Sequence, residues 1–94
     1  MKIYLSGKIT GNDNYREEFN SARMDLLYKS TAVLNPAILP GGLEYGDYMD
    51  ICFAMVRVCD AIYMLTNWKD APGAKLEHDY AKSIGKEIIY QEDK

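Results

Sequence analysis

The chain has 94 residues, a formal net charge of −3 and a hydrophobic fraction of 48%, enough for one domain with a modest core, read here as residues 1–94. The slightly acidic balance and the lack of any Lys/Arg run exclude a nucleic-acid-backbone binder. The apolar start, Ile3 to Leu5, is too short for a secretory leader core or a membrane span, so no membrane association is expected.

Lys2 to Ser6 reads as a short strand ending at Gly7, followed by a loop from Lys8 to Gly11. Asn12 or Asp13 is placed to cap a helix in which Tyr15, Phe19, Ala22 and Leu26 recur at spacings of 4, 3 and 4, running to about Lys29. Thr31 to Leu34 is a second strand, stopped at Asn35-Pro36 because the residue before proline is pushed out of the helical region. After the Pro40-Gly41-Gly42 loop, Asp47 is expected to cap a helix with an apolar stripe of Tyr48, Ile51, Met55 and Val58. Ala61 to Leu65 is a near-continuous apolar run, as in a strand covered on both faces. Asn67 to Asp70 reads as loop. The next helix has Asp70 as its expected cap, Pro72 in its first turn and Gly85 as its stop, with Lys82 and Lys86 near its negative end. Glu87 to Tyr90 forms the last strand, and Gln91 to Lys94 a polar tail.

This order, β-α-β-α-β-α-β with short connections, predicts an α/β fold. We expect a single-domain, flavodoxin- or Rossmann-like three-layer sandwich. Its four-stranded parallel sheet has strand order 2-1-3-4, with helices on both faces. Ligands in such sheets bind at the carboxyl ends of the strands, at the switch point between strands one and three. Tyr4, Ser6, Lys8, Asn35, Asn67, Trp68, Asp70 and Glu77 collect on that edge.

Cys52 and Cys59 are seven apart on one predicted helix, too far apart to bridge, and no metal-ligand set accompanies them. Two buried thiols in a reducing, cytoplasmic compartment are expected, with no metal and no cofactor. Ser6-Gly7-Lys8-Ile9-Thr10-Gly11 is neither a Walker A loop nor a dinucleotide fingerprint. It is a tight turn, or a loop whose backbone N–H groups hold a phosphate or a sugar hydroxyl. Trp68 fits a stacking platform for a planar base, or a lid or interface anchor. Asp60 reads as structural. His78, about 100° from Glu77 on the helical wheel, reads as a surface histidine. With one His, the chain builds no Ser/His/Asp or Cys/His set.

Glu77 is the residue that stands out. On a helical wheel Gly73, Ala74, Tyr80, Ala81 and Ile84 lie within about 60° of one direction, and Glu77 sits at its centre. An unpaired carboxylate buried in such a stripe costs several kcal/mol, so it is paired, open to a cleft, or used in chemistry. Gly73 and Ala74, one turn earlier, leave space beside it. A balance against the positive helix end and a polar subunit interface are the structural alternatives.

Tyr4-Leu5-Ser6-Gly7, Cys59-Asp60-Ala61-Ile62, and Gly73-Ala74-x-x-Glu77-x-x-Tyr80-Ala81 with Gly85-Lys86 together resemble the nucleoside 2-deoxyribosyltransferase superfamily, notably a small bacterial and phage branch of it. The likeness spans nearly the whole chain. It implies that Glu77 is the nucleophile, that Tyr4 orients it, and that Asp70 matches an acidic residue just upstream of the catalytic helix. Relatives carry a substrate-holding aspartate where this chain has Cys52. They also continue into C-terminal segments that complete a neighbour's site, whereas this sequence ends just after its last predicted strand.

The resulting expectation is an N-glycosidic-bond enzyme, a nucleoside or nucleotide deoxyribosyltransferase or hydrolase, working through a glycosyl-enzyme intermediate. Catalytic positions are Glu77, Tyr4 and Asp70; substrate-binding positions are Ser6, Gly7, Lys8, Asn35, Asn67, Trp68 and Gly73. The expected partners are a small-molecule nucleoside or nucleotide and, in a homo-oligomer, further copies of the chain. The competing expectations are a non-catalytic nucleotide-binding module on the same fold and a purely structural protein.

Overall fold

The computed structural model describes residues 1–92; Asp93 and Lys94, the end of the expected polar tail, lie outside the described residues. The elements are β1 (Lys2–Ser6), α1 (Tyr15–Leu26), β2 (Ala32–Leu34), α2 (Tyr45–Val58), β3 (Ala61–Met64), α3 (Pro72–Ser83) and β4 (Glu87–Tyr90). Short 3₁₀ turns cover Leu27–Lys29, Pro36–Ile38 and Trp68–Asp70, the last replacing the expected loop. All strand pairs are parallel and the order is β2-β1-β3-β4, as the short β-α-β connections require.

The two central strands are covered on both sides. Ile3, Leu5, Ala61 and Leu65 pack with Phe19, Ala22 and Leu26 of α1. Tyr4, Ile62 and Met64 face the other way, into a core shared with Cys52 and Val56 of α2 and Ala74 and Ala81 of α3. The alternation of side chains along β1 and β3 therefore divides one apolar sequence between two cores. The small alanines let α3 lie close against the sheet, which draws Glu77 inward.

Helix α2 departs from expectation. It begins at Tyr45 rather than after Asp47, because Asp47 Oδ2 accepts the Glu44 N–H at 3.0 Å and fixes the first turn from within. The buried face is correspondingly Cys52, Val56 and then Cys59, and Val58 is 55% exposed. Helix α3 also lacks the cap expected from Asp70: Ala71 holds the cap position and Asp70 is exposed. Its other end behaves as read. Gly85 takes a positive φ of 78°, the Lys86 N–H reaches the Ala81 carbonyl at 2.9 Å, and the Gly85 N–H reaches Lys82 at 3.2 Å. Asp60 is structural as expected, accepting the Lys2 N–H at 2.7 Å.

Candidate active site

A cleft of about 590 Å³ opens at the carboxyl edge of the sheet. Tyr4 and Gly7 of β1 and its following loop form one wall, and Pro36, Ala37 and Leu39 to Gly41 continue it beyond β2. Tyr15, Arg16 and Phe19 enter from α1, Tyr45, Tyr48, Met49 and Cys52 from α2, and Asp70 to Ala74 with Glu77 from the start of α3. The size and the mostly apolar, aromatic lining suit a small organic ligand oriented by a few polar groups.

Glu77 is the only buried charged residue among the described residues, at 6% exposure. Ser6, fully buried at the end of β1, donates its hydroxyl to Glu77 Oε1 at 2.6 Å. The short distance is that of a charge-assisted O–H···O⁻ bond. Burial raises the Glu77 carboxyl to a pKa of about 6; Ser6 first, then Tyr4 and Cys52, oppose that rise by favouring the ionised form. Burial likewise lifts the Tyr4 hydroxyl well above its ordinary value of 10.0, with the charge of Glu77 adding to it, so this phenol remains a donor. The Cys52 thiol is pushed up to about 11, chiefly by burial. A buried carboxylate held by one neutral hydroxyl, with Tyr4 and Cys52 close by and no cation paired with it among the described residues, is electron-rich and partly desolvated. These are the properties of a nucleophile or of a fixed anion beside a developing positive charge.

The side-chain hydrogen bond that Glu77 accepts comes from Ser6. Tyr4 Oη is the one buried side-chain polar atom without a hydrogen-bond partner among the described residues. Ser6 stands behind Glu77 instead of lining the cleft as a substrate-binding group. Gly7 lines the cleft and allows β1 to pass closely by β3: a Cβ there would come within 2.9 Å of Leu65 Cβ and 3.1 Å of Asn67 Oδ1. Gly73 lines it too, with Tyr45 Oη and Met49 Sδ each 3.5 Å from where its Cβ would be. Asp70 lies on the rim.

Four expected substrate-binding residues are placed elsewhere. Lys8 does not line the cleft; its N–H donates to Asn67 Oδ1 at 3.0 Å. Asn67 accepts that bond to tie the loops after β1 and β3 together, and its amide also reaches Glu18 at 3.3 Å. Asn35 accepts the Ala37 N–H at 2.9 Å and so shapes the turn that carries Pro36 and Ala37 into the cleft wall. Trp68 stacks on His78, with ring centroids 4.4 Å apart, and lies 6.0 Å from Tyr90. The 3₁₀ turn directs it to the β4 side of α3, and it is not among the residues that line this cleft. His78 is no free surface histidine: its Nε2 is 2.8 Å from Tyr90 Oη and its Nδ1 3.0 Å from Asp79.

The residues that sequence reasoning missed are Tyr15, Arg16, Tyr45, Tyr48 and Met49. Part of the signal was there. Tyr45, Met49, Cys52 and Val56 recur at spacings of 4, 3 and 4, a second helical stripe that competed with the one chosen.

No helix among the described residues is long and apolar enough to cross a membrane. No curated protein matches the chain. A solved structure, 2-desoxiribosyltransferase from Leishmania mexicana, superposes with a TM-score of 0.73 at 22% sequence identity, covering 95% of this chain and 62% of that one. The chain therefore spans less than two thirds of that relative's length. The fold is that of the nucleoside 2-deoxyribosyltransferases. Over residues 1–90 the chain matches, and it belongs to, the family described as Domain of unknown function (DUF4406).

Proposed function

We propose that the protein cleaves or exchanges the N-glycosidic bond of a nucleoside-type substrate, with Glu77 as the nucleophile. The observation that carries this reading is the buried Glu77 carboxylate at the floor of an aromatic cleft, held through Oε1 by Ser6 so that its other oxygen serves the ligand. Glu77 attacks C1′ of the sugar, the C1′–N bond breaks, and its electron pair leaves with the base, which takes up a proton. The resulting glycosyl ester is then released by a nitrogen of a second base (transfer) or by water (hydrolysis), which restores the carboxylate. The transition state is oxocarbenium-like, so the fixed anion also acts electrostatically.

Asp70, which lines the same cleft, binds a sugar hydroxyl or relays a proton to the departing base in this reading. Tyr45 or Tyr48, both on the cleft wall, stacks on the base. No step requires a cofactor. Self-association remains part of the proposal, and light scattering at micromolar concentration reads it directly. The test is incubation with a panel of ribo- and deoxynucleosides, with and without a free acceptor base, followed by chromatography. Release or exchange of a base, abolished in Glu77→Gln, supports the reading. Binding without any product, equal in the wild type and the variant, would overturn catalysis in favour of a binding module.

A further inference from the structure

Among the described residues the cleft contains a single cationic side chain, Arg16, and nothing in the glycosyl-transfer reading uses it. Arg16 sits in the first turn of α1, where a positive charge opposes the helix dipole. No carboxylate approaches its guanidinium within 4.0 Å among the described residues, although Glu17 and Glu18 follow it directly. Those acids turn elsewhere: both line a separate small cavity with Ser21 and Asn67, and Glu18 accepts the Asn12 amide at 2.6 Å. The guanidinium lies over the ring of Tyr15, 5.2 Å from its centroid, and Tyr15 is itself a half-buried part of the cleft wall. One turn of helix thus separates its charges, acids to the outer cavity and the cation to the cleft. A locally unfavourable charge placed at a binding cavity, rested on an aromatic ring and left without an acid, is what an anionic ligand group requires.

Resting on the nucleoside reading above, we propose that the cleft is built for a nucleoside monophosphate, whose phosphate is received by Arg16. Glu77 fixes where C1′ lies, and the phosphate on the 5′ carbon is the anionic group a nucleoside-type ligand can extend toward the α1 side. The planar fork of Arg16 matches two phosphate oxygens at once. Thr10 also lines this cleft and brings a hydroxyl to it.

The experiment is calorimetric titration of the wild type, Arg16→Gln and Arg16→Lys with matched nucleosides and their 5′-monophosphates at two salt concentrations. Arg16 is exposed, and circular dichroism checks that each variant is folded. The monophosphate is expected to bind the wild type roughly ten- to a hundredfold more tightly than the nucleoside. That preference collapses in Arg16→Gln, is partly kept in Arg16→Lys, and weakens with salt. Equal binding of nucleoside and monophosphate, or a preference untouched in Arg16→Gln, overturns this proposal and leaves the nucleoside reading standing. Failure of both ligands to bind overturns the two together.

Discussion

Replacing Ser6 by alanine removes the one aligned hydrogen bond to Glu77 while changing little volume. In the wild type that bond is 2.6 Å long, both partners are buried, and burial has already raised the carboxyl to about 6. A hydrogen bond to a charged group is worth about 1.5–3 kcal/mol, and each pKa unit corresponds to about 1.36 kcal/mol. Losing it disfavours the ionised form, so Glu77 should titrate about one to two units higher in Ser6→Ala. Carbon-13 NMR of protein labelled at the glutamate carboxyl reads that midpoint directly, without reference to turnover. Where turnover is measurable, the acid limb of its pH profile should move upward with the midpoint. An unmoved Glu77 midpoint in a folded Ser6→Ala variant would refute the assignment of Ser6 as the residue that holds this carboxylate.

Two further outcomes follow from the same geometry. Glu77 has a higher pKa in the folded chain, about 6, than its ordinary 4.5, so folding binds a proton between those values. Stability is therefore greatest below pH 4.5 as far as this group is concerned, falls as pH rises to about 6, and the loss approaches about 2 kcal/mol. Urea unfolding across that range should show this fall in the wild type and not in Glu77→Gln; identical profiles would contradict it. Gly7→Ala should destabilise by about 1–3 kcal/mol, because its Cβ would press on Leu65 Cβ at 2.9 Å in a packed core. A melting temperature equal to that of the wild type would show that the β1 loop yields more easily than its packing implies.

The sheet was legible because its signals are local. Gly7, Pro36 and Gly85 punctuate the chain, and β1 and β3 carry apolar runs that only a two-sided core accommodates. Glu77 was legible too, since a carboxylate centred on a small-residue stripe has few inexpensive places to go. The partners around it were not. Ser6 meets Glu77 across 71 positions of sequence, a pairing that only the close approach of α3 to the end of β1 creates. Trp68 was misplaced for a related reason: a loop residue near the expected edge can face either side of the following helix, and a stacked His78 decides the matter. Arg16 and Tyr45 were not legible because each lies in the first turn of a helix, where a polar or aromatic residue reads as ordinary surface until the opposite wall of a cleft is in place.

The central claim is that Glu77 becomes covalently bonded to the sugar, and intact-protein mass spectrometry tests it most directly. The protein is mixed with a reactive deoxynucleoside or its monophosphate, acid-quenched within the first turnovers, weighed whole and then digested. The account predicts an added mass of one deoxyribosyl or deoxyribosyl phosphate unit on the peptide containing Glu77, absent from Glu77→Gln. Base release that proceeds with no such adduct, or that survives in Glu77→Gln, would contradict it.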